Sequence, residues 1–319
     1  MEVSILMITY NHERYIAHAL ESILSQHVGF EYEIVIGEDC SKDNTRKIIL
    51  EYREKYPGKI RLLSRETNIG MLRNYARTFK ECKGKYIAVL DGDDYWISLD
   101  KLQKQVDYLE RHPECSICFH NVNILYEDSG EVVVMKPPHR KEKYVLEDLL
   151  DTNFIANSSV LYRAGIIDDF PAWWYSVEMT DWTTHIMHAQ QGEAGYLDET
   201  MAVYRVHSKG VWSMQSNIEK ILEDIKAYRL INKHLEYRYN KKIKKLISNC
   251  YYKLSLLSYD KGDMKAAKNF STRCFIVFPF NRQISRSVQL KALLKFNALW
   301  LYESIKKTTL GLRQILLYP

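Results

Sequence analysis

The chain has 319 residues, of which 46% are hydrophobic, and a formal net charge of +5, so it can form the core of one large domain or of two. No apolar run reaches the ~18 residues of a spanning helix, and the first residues form a strand pattern without a basic leader, so neither a transmembrane helix nor a signal peptide is predicted. Six scattered cysteines are typical of reduced thiols and favour a cytoplasmic protein.

The first hundred residues alternate between strand and helix patterns. Short β-branched apolar runs predict strands, and apolar residues at helical spacing predict the helices between them. The predicted strands cover 3–10, 32–39, 59–65 and 85–91, and the predicted helices cover 15–26, 43–56 and 71–82. This alternation predicts the α/β class, with a mostly parallel sheet that carries helices on both faces.

The pattern changes twice along the rest of the chain. It loosens over 101–216 and becomes almost wholly helical over 217–319, so we expect a domain over 1–216, with halves 1–100 and 101–216, and then a helical region. The further predicted elements are a helix over 100–111, a strand over 115–125, a hairpin around 128–130, helices near 145–151 and 181–191, and a helix-turn-helix unit of tetratricopeptide type over 251–279 with Gly262 at its turn.

The charge is divided in the same way. Residues 1–216 hold 24 Lys and Arg against 33 Asp and Glu, a net charge of −9, whereas residues 217–319 hold 21 against 7, a net charge of +14. An acidic domain followed by a basic region indicates that the second part meets an anionic partner.

Polar side chains follow three of the predicted strands at the point where each strand ends. Thr9-Tyr10-Asn11 end the first strand, Glu38-Asp39 the second and Asp91-Gly92-Asp93-Asp94 the fourth. Ligands of open parallel sheets bind outside the carboxyl ends of the strands, so we expect these groups to meet at one edge. Three carboxylates within four residues repel each other unless a positive charge neutralises them.

Three interpretations can account for the acidic strand end. A calcium loop of the EF-hand type needs Gly at its sixth position and Glu at its twelfth, where this chain has Trp96 and Leu102. A helix cap would explain one acid, for which Ser98 is better placed, but not three. A divalent cation, Mn²⁺ or Mg²⁺, is usually held by one or two carboxylates together with substrate phosphates. This last interpretation implies a phosphorylated ligand.

Several stretches carry a family resemblance. "SILMITYNHERYIAHALESILSQ", "IVIGEDCSKDNT", "NIGMLRNYARTF" and "GKYIAVLDGDDYWISLDKL" occur in the order and spacing of family-2 glycosyltransferases, and "MTDWTTHIMHAQQGEAGYLDETMAVYRVHSKGVWS" resembles the acceptor-side segment of bacterial members. The resemblance covers roughly residues 1–215. It implies a GT-A, Rossmann-like fold, a nucleotide-diphosphate sugar donor, and transfer with inversion in the synthesis of bacterial surface polysaccharides.

The resemblance also implies roles for individual residues in binding the donor. It assigns residues 1–100 as the half that binds the nucleotide sugar. Asp39 matches the acid that recognises the base, usually uracil, and a carboxylate is a suitable acceptor for an imide N–H. The other residues that match donor-binding positions are Thr9, Tyr10, Asn11 and Glu13 in the first loop, Asn68, Gly70, Arg73 and Asn74 near the diphosphate, and Asp91 and Gly92 of the D-x-D motif.

The resemblance implies a metal site and a base as well. Asp93 matches the direct metal ligand, Asp91 lies nearer the ribose or sugar, and His207 matches a histidine that contacts the metal or the diphosphate. Asp181 matches the general base in the acceptor-side half, and Glu178 is the spare candidate. Each has a plainer interpretation, because Asp181 can cap a helix, His207 can be a packing residue and Asp39 a turn former.

Functions from other classes agree less well with the sequence. A dinucleotide oxidoreductase needs G-x-G-x-x-G after the first strand, where this chain has no glycine. The alternatives that stay open are a sugar nucleotidyltransferase, although its glycine-rich first loop is absent, and a non-catalytic helical-repeat adaptor with a degenerate transferase domain.

The predicted partners follow from these assignments. The donor is a UDP-sugar, with a dTDP-sugar left open, and the acceptor is a glycan or a lipid-linked glycan; no nucleic acid is expected. The basic helical region suits a peripheral contact with the inner face of the cell membrane, or packing on the domain or on a second subunit in a homodimer. Its basic clusters are Lys241, Lys242, Lys244 and Lys245, and the residues of an amphipathic segment over 287–319.

Overall fold

The computed structural model describes residues 1–208 and 215–279. The chain divides into two compact units, Met1–Met214 and Gln215–Pro319. The first unit contains a ten-stranded sheet, and the described part of the second unit contains three helices. Among the helices of the described residues, none is both long and apolar enough to cross a membrane.

The first unit contains strands and helices in nearly regular alternation. Its strands are β1 (Val3–Thr9), β2 (Tyr32–Glu38), β3 (Ile60–Ser64), β4 (Tyr86–Val89), β5 (Tyr95–Trp96), β6 (Cys115–Tyr126), β7 (Glu131–Met135), β8 (Lys143–Tyr144), β9 (Leu161–Arg163) and β10 (Glu193–Val206). Its helices are α1 (Ile16–Leu24), α2 (Thr45–Lys55), α3 (Met71–Glu81), α4 (Lys101–Arg111), α5 (Leu146–Asp151) and α6 (Thr180–Ala189).

The sheet is a mixed sheet in the order β3-β2-β1-β4-β9-β6-β10-β5, with β7 paired to β6 and β8 paired to β10. The first four strands of this order pair in parallel. β9 pairs antiparallel with both β4 and β6, and β6 pairs in parallel with β10. The predicted α/β class is confirmed, and continuous parallel pairing is confined to the strands whose alternation with helices the sequence predicted.

Helix α3 lies unusually close to the sheet because β2 carries a glycine beneath it. A Cβ atom at Gly37 would lie 2.1 Å from the Thr78 Oγ1, and the buried Asn74 Nδ2 donates to the Gly37 carbonyl at 2.7 Å. This contact fixes the helix against β2 just before the strand delivers Asp39 to the edge of the sheet.

The second unit contains α7 (Asn217–His234), α8 (Asn240–Asp260) and α9 (Met264–Val277). Ser216 and Glu219 form a capping box at the start of α7. Gly262 adopts a φ of 79° between α8 and α9, and the Asp263 side chain accepts from the Ala266 N–H at 2.9 Å. The predicted helix-turn-helix with Gly262 at its turn is therefore confirmed, and the predicted segment 287–319 lies outside the described residues.

Candidate active site

The carboxyl ends of β1, β2 and β4 lie side by side. The Asp39 N–H donates to the Thr9 carbonyl at 3.1 Å, and the Gly92 N–H donates to the Ile8 carbonyl at 3.0 Å. The three polar groups that the sequence predicted at strand ends therefore meet at one edge. Gly92 permits this approach, because a Cβ atom there would lie 2.6 Å from the Thr9 Oγ1.

Asp93 is flanked by two imidazoles. Its Oδ2 lies 3.1 Å from the His207 Nε2 and 3.7 Å from the His12 Nε2. Desolvation acts to raise the pKa of Asp93, but the hydrogen bond with His207 and the charges of both imidazoles outweigh it, so the pKa lies below its usual value. The hydrogen bond with Asp93 raises the pKa of His207.

The surroundings of Asp91 favour its ionised form less than those of Asp93 do. Desolvation, followed by repulsion from Asp93, raises the pKa of Asp91 to about 7, although Asn157 Nδ2 donates to its Oδ2 at 3.0 Å. Its Oδ1 is buried and has no hydrogen-bond partner within residues 1–208 and 215–279. A buried carboxylate oxygen without a donor is available to a cation or to a ligand hydroxyl.

Arg205 donates two hydrogen bonds to the acidic turn, which consists of residues 91–94. Its Nη1 donates to the Asp93 carbonyl at 2.6 Å, and its backbone N–H donates to the buried Asp94 Oδ1 at 2.9 Å. Desolvation, Asp93 and Asp91 raise the pKa of Asp94 well above its usual value. Asp94 is thereby a positioning residue, whose side chain ties the end of β10 to the acidic turn.

Asp181 is the second residue of α6, whose cap residue is Met179. Asn153 Nδ2 donates to the Asp181 Oδ2 at 2.8 Å. The charge of Asp181 is one of the causes that raise the pKa of Asp91, so the two carboxylates lie within electrostatic range of each other. Glu178, the spare candidate for the base, is exposed.

The predicted nucleotide loops are fastened to one another. Asp39 accepts from the Ile69 N–H at 2.8 Å through Oδ1 and from the Gly70 N–H at 2.9 Å through Oδ2. Asn68 Nδ2 donates to the Asp39 carbonyl at 3.0 Å. Each carboxylate oxygen keeps a second lone pair, so the carboxylate of Asp39 is fixed in place and can still accept from a base.

The first loop is held in the same manner. Asn11, at a φ of 57°, accepts from the Lys42 N–H at 2.8 Å, and Glu13 accepts from the Asn44 N–H at 3.0 Å. The Tyr10 side chain is exposed. Among these residues, Tyr10 therefore has the most freedom to stack on a ligand.

Two predicted donor-binding residues lie apart from this group. Asn74 is buried against β2, as described above. Arg73 is exposed near the start of α3 and lines a cavity of about 260 Å³ together with Asp168 and Tyr175. Contact of Arg73 or Asn74 with a nucleotide sugar stays a prediction.

The sequence reasoning missed four residues that the structure brings to the site. His12 follows Asn11 directly and Arg205 precedes His207 by two residues, so proximity along the chain was an available signal. Asn153 and Asn157 come from "TNFIANSS", a polar stretch with no strand or helix pattern, and only its fold brings the two amides to Asp181 and Asp91.

Comparison with known proteins gives a consistent result for the first unit. The model of the family described as Glycosyl transferase family 2 matches residues 4–208. An uncharacterized protein of Mycobacterium tuberculosis is 43% identical over 211 residues, which cover 66% of this chain and 60% of that protein. The putative teichuronic acid biosynthesis glycosyltransferase TuaG of Bacillus subtilis is 30% identical over 159 residues, which cover 50% of this chain and 61% of TuaG. The match thus spans about 60% of the length of these relatives.

Solved structures share the fold at lower identity. TarS of Staphylococcus aureus, residues 1–349 in complex with UDP-GlcNAc, gives a TM-score of 0.64 at 18% identity and covers 93% of this chain and 92% of that one. The mannosyltransferase PcManGT of Pyrobaculum calidifontis, in complex with GDP-Man and Mn²⁺, gives a TM-score of 0.57 at 16% identity and covers 95% of this chain and 87% of that one. The predicted GT-A-like fold is confirmed by these similarities.

Proposed function

The chain belongs to glycosyl transferase family 2 and is a glycosyltransferase; from that premise we propose that it moves a sugar from a UDP-sugar to a saccharide or lipid-linked saccharide acceptor, with inversion at the anomeric carbon. The observation that carries the proposal is that Asp39, Asp91 and Asp93 lie at one edge of the sheet, with Asp181 within electrostatic range of Asp91, and that each carboxylate has a different set of partners.

The donor's base binds at Asp39. Two backbone N–H groups hold the carboxylate, which keeps the lone pairs that an imide N–H requires. Uracil and thymine present the same N–H, so this residue accepts UDP or dTDP. The complex of TarS with UDP-GlcNAc supports UDP as the first nucleotide to test.

A divalent cation, Mn²⁺ or Mg²⁺, fits the residues around Asp93. The Asp93 carboxylate and the His207 Nε2, 3.1 Å apart, would hold the ion together with the phosphates of the donor. The buried Asp91 Oδ1, which lacks a partner in the described part of the chain, is available to a hydroxyl of the donor. A bound cation supplies Lewis-acid neutralisation of the negative charge that develops on the leaving diphosphate.

Asp181 acts as the general base. Asn153 donates to the Oδ2 of Asp181, and the Oδ1 can accept the proton of the attacking hydroxyl. Attack on the face of the sugar opposite the leaving group inverts the anomeric carbon without a covalent intermediate. Asn153 is a positioning residue in this scheme, because it acts through Asp181.

The acceptor belongs to the synthesis of a bacterial surface polymer, and the enzyme works in the cytoplasm at the inner face of the membrane. The similarity to TuaG, a putative teichuronic acid biosynthesis glycosyltransferase, supports the first part. The exposed Lys241 and Lys244 on α8 support a contact with anionic lipid. Flotation with anionic liposomes tests this contact, and a chain that stays unbound at low salt excludes it. Packing of the basic helices on a second subunit is the competing result.

A donor screen that measures release of the nucleoside diphosphate tests the proposed function. We expect UDP release from at least one UDP-sugar in the presence of Mn²⁺ and an oligosaccharide acceptor, and none in EDTA. Turnover of a nucleoside triphosphate with a sugar phosphate, with release of inorganic pyrophosphate and no release of a nucleoside diphosphate, would instead indicate a nucleotidyltransferase.

A further inference from the structure

Residues 152–159, the asparagine stretch, bring two amides to the carboxylates of the site. The Asn153 Nδ2 donates to Asp181, and the Asn157 Nδ2 donates to Asp91. The first five residues of the stretch belong to neither a helix nor a strand. Because a buried backbone group needs a hydrogen-bond partner and no regular element supplies one here, side chains from other elements must fix the course of this backbone.

Two such side chains contact the asparagine stretch through its carbonyl groups. The Trp96 Nε1 donates to the Ser158 carbonyl at 2.9 Å, near the end of the stretch. The His185 Nε2 lies 3.1 Å from the Ile155 carbonyl, midway between the two asparagines. His185 and Ile155 are both buried, so water does not compete for this contact.

The partners of His185 define which ring nitrogen carries the proton. A carbonyl oxygen only accepts, so Nε2 carries a proton and donates it to Ile155. Desolvation lowers the pKa of His185 to about 4, so the ring is neutral at neutral pH and Nδ1 has no proton. Nδ1 therefore accepts from the hydroxyl of the buried Tyr162 at 2.6 Å. The ring is held at both nitrogens.

We propose that His185 is a positioning residue for the transfer reaction, because its Nε2–H fixes the Ile155 carbonyl between the two asparagines. His185 lies on α6 one turn after Asp181, so the helix that carries the base also carries the group that places an amide against it. The asparagine stretch extends the same constraint to Asp91 through its second amide. This inference rests on the proposed function only in the roles of Asp91 and Asp181.

Two substitutions of equal length isolate the contact with Ile155. Glutamine places an amide N–H where the histidine has Nε2, whereas methionine has the same length and no donor. Neither reaches the Tyr162 hydroxyl as Nδ1 does, so the loss of that contact is common to both. We expect kcat for UDP release to fall by about 10–100-fold in His185→Met, because small displacements of catalytic groups are costly, and to recover to within about threefold of the wild type in His185→Gln.

The side-chain amide signals of the two asparagines give a second measurement that does not depend on turnover. In full-length protein isotopically labelled at asparagine, the nuclear magnetic resonance signals are assigned from their loss in Asn153→Ala and Asn157→Ala. In His185→Met these amide protons should exchange with water about tenfold faster, since loss of a buried hydrogen bond increases local opening. In His185→Gln they should exchange as in the wild type.

His188→Phe is the matched control. His188 is buried on the same helix, and its ring stacks on that of Tyr162 with the centroids 4.2 Å apart. Within residues 1–208 and 215–279, however, neither of its ring nitrogens has a hydrogen-bond partner. This variant should leave kcat and the exchange of both amides unchanged. If His185→Met folds poorly, His185→Asn replaces it, because its shorter amide reaches the place of Nδ1 but not the Ile155 carbonyl.

The two measurements separate this inference from the proposed function. If the wild type releases UDP and amide exchange is equal in His185→Met and His185→Gln, then His185 does not position the stretch and the proposed function stands. A fall in kcat and in thermal stability without faster amide exchange likewise assigns His185 a purely structural role. If no donor releases a nucleoside diphosphate but exchange quickens in His185→Met alone, the proposed function is wrong and the contact of His185 with the asparagine stretch stands.

Discussion

The two compact units differ in where their charged side chains lie. The first unit crowds Asp91, Asp93 and Asp94 at one edge of its sheet, where desolvation raises the pKa values of Asp91 and Asp94. The described part of the second unit carries Lys241 and Lys244 on the exposed side of α8. Burying like charges costs stability unless a ligand neutralises them, whereas solvated lysines cost little. This difference supports the prediction that the acidic turn of the first unit is a binding site, although the second unit has the larger net charge.

The largest effect is expected from replacing Asp93 in the acidic turn of the first unit. Asp93→Asn removes the carboxylate between the two imidazoles, so turnover should fall by at least about 10³-fold and metal-dependent donor binding should weaken, since Lewis-acid assistance is worth several kcal/mol. UDP release and calorimetry with UDP measure the two effects. Asp100→Asn, at an exposed carboxylate, is the control; equal turnover in both variants would contradict the metal assignment.

Asp181 should affect chemistry without affecting donor binding. Asp181→Asn keeps the shape of the side chain and removes the proton acceptor, so kcat should fall by about 10²–10⁴-fold while the Kd for UDP stays constant. Asn153→Ala should lower kcat less, because the base is then present but misoriented. Loss of UDP binding in Asp181→Asn would instead assign this residue to the nucleotide pocket or to the fold.

Gly92 tests whether the close approach of the acidic turn to β1 matters. In Gly92→Ala the new Cβ would meet the Thr9 side chain at 2.6 Å, so the turn must shift. A displacement of about 1 Å at a catalytic group can cost 10²-fold in rate, and we expect an effect of about that size on UDP release. Gly29→Ala, at an exposed glycine whose new Cβ would meet only the Gln103 Oε1 at 3.7 Å, controls for substitution of a glycine; unchanged turnover in Gly92→Ala would contradict the steric argument.

The smallest effect is expected in the second unit, at the partly buried Asp224. Desolvation raises the pKa of Asp224 to about 6, against the attraction of Lys253. Between pH of about 4 and 6 the folded state binds a proton that the unfolded chain has released, so stability falls as the pH rises through this window and the loss is complete above it. Asp224→Asn should therefore stabilise the helices at pH 7.5 by about 1–3 kcal/mol.

Hydrogen exchange of the α7 amides in the full chain measures this gain, because a chain of two units need not unfold in one step. Protection in Asp224→Asn should be the same at pH 5 and pH 7.5 after correction for intrinsic exchange. The neighbouring Glu223, which pairs with Lys226, provides the control Glu223→Gln, for which we expect no gain. A wild type whose stability does not fall between pH 4 and 6 would show that Asp224 ionises freely.

Much of the donor side of the site could be predicted from the sequence, because its signals are local. A strand that alternates with helices delivers its last residues to the carboxyl edge of a parallel sheet, so Thr9, Asp39 and Asp93 were expected together and do lie together. The contacts of Asp39 with Ile69 and Gly70 join the loops that follow β2 and β3, and the structure shows these two strands to be neighbours in the sheet.

Only the tertiary structure decided the rest. β9 lies antiparallel between β4 and β6, and no sequence pattern predicts this strand, since three residues are too few to show a period. Its position brings the preceding stretch, with Asn153 and Asn157, to the carboxylates. The same holds for His12 and His207, which are separated by almost the whole first unit and meet at Asp93. Sequence by itself determined the class of fold, the strand ends and the acids that they carry. The groups that orient those acids come from long-range pairing, whose register and direction depend on packing across the whole sheet.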